Sequence, residues 1–143
     1  MEIKYTEDLN STIYEDALKI RYEVFVDEQK VPADLEVDDE ASCLHFVLYK
    51  KDDALATCRL YKKSAETVKL QRMAVLKSAR GSKIGIALME ATEVKAAELG
   101  YHNIILGAQN TAIGFYERLG YNIIGAEFLD AGIPHHMMEK ELT

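Results

Sequence analysis

The stretch Val75-Leu76-Lys77-Ser78-Ala79-Arg80-Gly81-Ser82-Lys83-Ile84-Gly85-Ile86-Ala87-Leu88 decides how this chain is read. It completes a strand-like run, Val68–Leu76, and opens a helical stripe in which Ile84, Ala87, Leu88, Ala91 and Val94 recur. A strand ends, a turn carrying Arg80, Gly81 and Ser82 follows, and a helix begins. A helix N-terminus presents backbone N–H groups without intrahelical partners and a partial positive charge, which suits a phosphate. Gly81 and Gly85 would let the backbone come close to such an anion, and Lys77, Arg80 and Lys83 bring local cations. The segment has neither the GxxxxGKS/T spacing of a nucleotide phosphate loop nor the GxGxxG of a dinucleotide fingerprint.

Working outward, the spacing predicts a helix over Ser82–Leu99, with Gly100 in the glycine position beyond its end. Asn103–Leu106 reads as a short strand. A helical stripe of Ala112, Phe115, Tyr116 and Leu119 ends at Gly120, and strands follow over Tyr121–Ala126 and, after Pro134, Met137–Leu142. Upstream, residues 2–6 read as a strand. Thr12 and Glu15 have capping-box spacing and open a helix to about Val24. Residues 27–42 are acidic and irregular, a loop or short helical turn too charged for a core. Cys43–Tyr49, Leu55–Tyr61 and Val68–Leu76 are joined by short connections and predict an antiparallel meander. The strand–helix–strand unit over 68–108 makes part of the sheet parallel. The expected fold is α/β (α+β): one domain over residues 1–143, with a mixed, partly antiparallel central sheet of about seven strands flanked by helices.

The 143 residues are 48% apolar, enough for one core, and carry a net charge of −7. No cationic stripe is present, which argues against nucleic-acid binding. The N-terminus lacks the pattern of a signal peptide, and no apolar run approaches the roughly 18 residues of a membrane span. A cytoplasmic protein that binds no membrane is expected. Cys43 and Cys58 sit in apolar runs without CxxC spacing and read as free core thiols. His45, His135 and His136 make no ligand pattern, so no metal is expected.

Four motifs carry a resemblance. Arg80-x-x-Lys83-x-Gly85 resembles the R/Q-x-x-G-x-G/A pyrophosphate loop of the GNAT superfamily of N-acetyltransferases, with Lys83 standing where most members have the first glycine. Gln109-Asn110-Thr111-Ala112-Ile113-Gly114-Phe115-Tyr116-Glu117-Arg118-Leu119-Gly120-Tyr121 resembles its N-x-x-A-x-x-F/L-Y-x-x-x-G-F/Y pattern, with Gln109 in the usual Asn place. Arg21-x-x-Val24-Phe25-Val26-x-Glu28-Gln29-x-Val31-Pro32, with Glu36, Asp38 and His45, is similar to the ElaA/YjcF-like bacterial branch. So is Asp130-Ala131-Gly132-Ile133-Pro134-His135. The resemblance covers essentially the whole chain.

It implies the GNAT (acyl-CoA N-acyltransferase) fold and direct acetyl transfer from acetyl-CoA to an amine. Backbone groups of Met73, Ala74 and Val75 would pair with the pantetheine arm. Arg80, Gly81, Ser82, Lys83, Ile84 and Gly85 would hold the pyrophosphate. Gln109, Asn110, Phe115, Tyr116 and Arg118 would contact the rest of the cosubstrate. A lysine-like amine with a pKa of about 10.4 is mostly protonated at pH 7, a deficit of about 4 kcal/mol for nucleophilic attack. The candidate bases are Glu28, Glu36, Asp38, His45 and His135; many members carry Glu where Gln71 stands here. Tyr116 is the expected proton donor to the departing thiolate. Arg21, Arg59 and Arg72 lie in or beside apolar elements, either as structural ion pairs or as cations gripping an anionic acceptor. With Phe25, Glu28, Glu36, Asp38 and His45 they make up the expected acceptor site. An amino-sugar phosphate or another small anionic amine would suit it.

Two other readings stand beside the enzyme. Gln71 and Lys83 favour a GNAT-fold sensor or interaction module that holds CoA with little turnover. The Arg21–Phe25 and Glu36–Asp38 pattern is also similar to acyl-homoserine-lactone synthases, although the chain is short for one. GNAT proteins are often dimers, so a homodimer is compatible with the sequence, but no segment marks an interface.

Overall fold

The computed structural model describes residues 1–31 and 40–142. Strand β1 (Glu2–Thr6) leads into helix α1 (Thr12–Arg21), which continues as a wider π-helical segment over Tyr22–Glu28. Strands β2 (Cys43–Lys50), β3 (Asp53–Lys62) and β4 (Thr67–Val75) follow, then α2 (Ile84–Glu98), β5 (Asn103–Gln109), α3 (Ile113–Arg118), β6 (Asn122–Asp130) and β7 (Ile133–Glu141). The seven strands form one sheet in the order β1-β2-β3-β4-β5-β7-β6, and only β4 and β5 run parallel. This is the mixed sheet expected from the sequence.

Boundaries differ where longer-range contacts act. Ser11, not Thr12, caps α1, its hydroxyl accepting the Ile13 N–H at 3.1 Å. The helix does not stop at Val24, because the π-helical turn carries it on to Glu28. Strand β6 runs to Asp130 and β7 starts at Ile133, so both exceed the apolar runs that marked them. Pairing with a neighbouring strand extends them through polar residues. Glycines fall where left-handed backbone is needed: Gly100 (φ 94°) after α2 and Gly120 (φ 96°) after α3.

The sheet separates two cores. On one face, Phe46, Leu48, Cys58, Leu60, Val68, Leu70, Ile104 and Leu106 pack with Leu88, Met89 and Tyr116 of the helices. On the other, Val47 and Ala74 meet Ala17, Ile20 and Val24 of the α1 segment. Alternation along β4 thus turns Val68 and Leu70 toward α2, and Lys69 and Gln71 the opposite way.

Two features open a cleft beside this core. The parallel ladder between β4 and β5 ends at Leu70–Leu106, after which the strands diverge. Just beyond it, β4 carries a bulge: Thr57 pairs with Ala74 but Arg59 with Gln71, so two residues of β4, Arg72 and Met73, oppose Cys58 alone. Arg72 takes a positive φ of 56°, and the bulge bends β4 away from β5.

Candidate functional site

The cleft between the diverging strands encloses about 770 Å³. Its floor is Leu70 and Leu106, its walls are β4 from Gln71 to Val75 and β5 from Gly107 to Gln109, and the N-terminus of α2 stands at one end. On its β5-facing edge, β4 has no partner strand past Leu70 among the described residues. An extended ligand can therefore complete the ladder there.

The turn before α2 has the form expected of an anion site. Lys83 precedes the helix at φ 65° and ψ 12° and makes no side-chain cap, which leaves the first N–H groups of α2 without a capping side chain from that residue. The left-handed backbone at this residue explains why glycine suits the position, and the lysine adopts the same conformation. Gly85 is needed for space: a Cβ there would stand 3.3 Å from Phe115 Cζ and 3.6 Å from Met73 Cε. Arg80 lies alongside, its Nε donating to the Val75 carbonyl at 3.0 Å. Arg80, Gly81, Lys83, Ile84 and Gly85 all line the cleft. Ser82 does not; its hydroxyl is turned back onto the Ala79 carbonyl.

Tyr116 reaches the cleft from α3. It is 6% exposed, packed edge-on against Phe115 and Tyr121 with ring centroids 5.1 and 5.7 Å away. Burial pushes its phenol pKa up, with a smaller push from Cys58, so the hydroxyl stays protonated. Phe115 and Arg118 of the same helix also line the cleft. Gln109 does too, whereas Asn110 faces away and is held by Glu127 at 2.7 Å and His136 at 2.8 Å.

His135 lines the cleft from β7. Its Nδ1 lies 2.6 Å from the Ile133 carbonyl, which can only accept, so Nδ1 carries a proton and Nε2 is the nitrogen left to face the cleft. The ring stacks on Phe128 at a centroid separation of 5.6 Å.

Several expected site residues lie elsewhere. Arg21 and Arg59, each 1% exposed, point into the protein rather than the cleft. Both grip Glu40: Arg21 donates to its two oxygens at 2.6 and 3.2 Å, Arg59 donates to one, and the Tyr14 hydroxyl adds a bond of 2.8 Å. Burial pushes the Glu40 carboxyl up. The bonds and charge of Arg21, with Tyr14 and Arg59, more than reverse this and hold it at about 2. Glu40 escaped sequence reading because it closes an acidic run that looked solvated. Two arginines buried in apolar elements were the signal that an acid had to join them. His45 belongs to this cluster, not to the acceptor site. Its Nε2 donates to the Glu40 carbonyl at 2.9 Å, and burial lowers its pKa.

Glu28 is not placed as a base. Its carboxylate forms a bidentate pair with Arg80, at 2.7 and 2.8 Å, and the pair lowers its pKa. Next to it, Gln29 accepts from Gln109 Nε2 at 2.8 Å. The π-helical segment is thus tied to both sides of the cleft through two adjacent side chains, a role not read from the sequence. Gln71 also lines the cleft and accepts from Arg59 Nε at 3.0 Å. Phe25 and Arg72 line it as expected, and Glu36 and Asp38 fall outside the described residues. Among the described residues no group of three or more His, Cys, Asp or Glu could hold a metal ion, and no helix is long and apolar enough to cross a membrane.

Comparison with known proteins agrees with this geometry. The acetyltransferase (GNAT) domain family matches residues 6–142. Bacillus subtilis YjcF, described as an uncharacterized N-acetyltransferase, is 42% identical over 134 residues, covering 92% of this chain and 95% of its own. The crystal structure of Escherichia coli ElaA has a TM-score of 0.86 at 28% identity, covering 99% of this chain and 100% of that one. An aminoglycoside 6'-N-acetyltransferase solved with coenzyme A shares the fold, with a TM-score of 0.79 at 18% identity over 100% of this chain and 98% of that one. With fold, cleft and sequence in agreement, this chain belongs to the GNAT acetyltransferases, which are acetyl-CoA-dependent acyltransferases, and within them to the ElaA/YjcF-like bacterial branch.

Proposed function

We propose that residues 1–143 act as one domain that moves the acetyl group of acetyl-CoA directly to the primary amine of a small acceptor. The observation that carries this reading is the divergence of β4 from β5 past Leu70–Leu106, with Tyr116 in the cleft and the uncapped N-terminus of α2 at its end. The residues present fit coenzyme A. The open edge of β4 over Met73–Val75 suits the amide groups of the pantetheine arm. The α2 N-terminus with Arg80 and Lys83 suits the pyrophosphate, and Arg118 adds a cation on the same cleft.

In this reading His135 Nε2 takes the proton from the acceptor amine as its nitrogen bonds to the acetyl carbon. Backbone N–H groups of β4 near Met73–Val75 stabilise the oxyanion. The carbon–sulfur bond then breaks, and the Tyr116 hydroxyl gives its proton to the leaving thiolate. The raised phenol pKa requires that transfer to be concerted with bond cleavage. Phe25 and Arg72 form the acceptor side, and an amine that also carries an anionic group, such as an amino-sugar phosphate, is the class favoured by Arg72. The cytoplasm suits the reaction, since the free thiols Cys43 and Cys58 belong in a reducing compartment.

The test is thiol release from acetyl-CoA by purified protein against amino-sugar phosphates, polyamines, amino acids and lysine peptides. Acceptor-dependent release is the expected result. Tight acetyl-CoA binding without release to any amine would instead support the sensor reading, to which Gln71, held by Arg59 in place of a free carboxylate, lends weight.

A further inference from the structure

With Arg21 and Arg59 committed to Glu40, the cation that would select an anionic acceptor has to lie elsewhere. Lys69 is on β4, one residue before the last rung of the parallel ladder at Leu70–Leu106. Val68 and Leu70 face α2 and the main core, so Lys69 projects from the opposite face. That face is where Phe128 and Met137 approach Gly107. Lys69 lines the same cleft as Arg72 and His135.

Its surroundings are unusual for a lysine. It is only partly exposed, and among the described residues its side chain has neither an ion-pair partner nor a hydrogen bond. Asp130 also lines the cleft and its charge reaches Lys69, but the two form no ion pair. Burial lowers the ammonium pKa, and the like charges of Lys63 and Arg72 add to the effect. A half-buried ammonium without an ion-pair partner makes a site that an anion would relieve.

We propose that Lys69 forms an anion subsite in the acceptor half of the cleft, which binds the carboxylate or phosphate of the acceptor while its amine faces His135. The inference rests on the acetyl-transfer reading for its biological meaning, but the subsite can be tested without turnover. Acceptors with a single amine and no anionic group would lack its grip, and those with an anion set a few bonds from the amine would gain it.

Two measurements test this. The first is calorimetric titration of inorganic phosphate, and separately of acetate, into protein saturated with CoA, so that the α2 N-terminus is already filled. Binding with a dissociation constant below about 10 mM in the wild type, weakened at least about tenfold in Lys69→Met and partly restored in Lys69→Arg, is the expected result. Preference for phosphate over acetate, or the reverse, names the anion. No binding of either, or equal binding by Lys69→Met, overturns the subsite whether or not the protein turns over. The second is the KM ratio for matched acceptors, glucosamine 6-phosphate against glucosamine and ornithine against putrescine. The anionic member should be favoured by about tenfold or more in the wild type, and Lys69→Met should erase the ratio without moving the KM for acetyl-CoA. An unchanged ratio in Lys69→Met overturns the proposal. Phosphate or acetate binding that depends on Lys69, with no acetyl transfer to any amine, would uphold the subsite and sink the acetyl-transfer reading instead.

Discussion

Glu40→Gln removes the negative charge on which Arg21, Arg59 and Tyr14 converge and keeps the shape of the side chain. The structure sets the size of the effect. The carboxyl ordinarily titrates at 4.5 and is held at about 2 in the folded protein. That difference corresponds to about 3 kcal/mol of stability at neutral pH. Breaking buried ion pairs by removing one member costs about 3–5 kcal/mol, the same range. For a chain of this length, with an unfolding entropy of about 2 cal/mol/K per residue, the melting temperature should fall by about 10 °C. The folded pKa is the lower one, so the stabilisation is complete above the unfolded value and is lost as pH falls from 4.5 through about 2. The assay is thermal unfolding by circular dichroism of wild type and variant from pH 7 down to the acid limit of folding. The gap between them should be widest at neutral pH and should narrow on acidification. A variant melting within about 2 °C of wild type at pH 7, or a gap that does not change with pH, would refute the idea that this carboxylate is held ionised by its two arginines.

Three further outcomes are expected. Tyr116→Phe should leave acetyl-CoA affinity nearly intact and lower turnover by about tenfold or more; unchanged single-turnover rates would remove Tyr116 from the mechanism. Glu28→Gln frees Arg80, and since an exposed pair contributes up to about 1 kcal/mol, CoA should bind as much as about fivefold more tightly at low salt. Weaker CoA binding would mean that Glu28 supports the site rather than competing for it. His135→Ala should lower turnover by about a hundredfold near neutral pH. The deficit should shrink as pH rises toward the amine's own pKa of about 10.4, and a deficit independent of pH would exclude His135 as the base.

The two kinds of site residue differed in how far they could be read from the chain. Tyr116, Phe115 and Gln109 were marked by the resemblance of residues 109–121 to a family pattern, and the Arg80–Gly85 turn by a local strand end, turn and helix start; all of them but Ser82 line the cleft. Glu28 and His45 were placed at the acceptor site, and Arg21 and Arg59 were left between ion pair and acceptor grip, because their chemistry depends on a partner far away in sequence. Arg80 is 52 residues from Glu28, and Arg21 and Arg59 are each 19 residues from Glu40. Lys69 escaped notice because alternation places it on a face, and only the packed helices tell which face is open.

By itself, the sequence determined the order of the elements, the mixed sheet and the glycine-bearing turn before α2. These follow from periodicity, caps and glycines acting over a few residues. Only the tertiary structure decided where β4 parts from β5, which carboxylate neutralises the buried arginines, and which side chains enter the cleft. Those outcomes depend on a bulge opposite Cys58, on strand pairing across the sheet, and on the desolvation that makes each buried charge find its counterion.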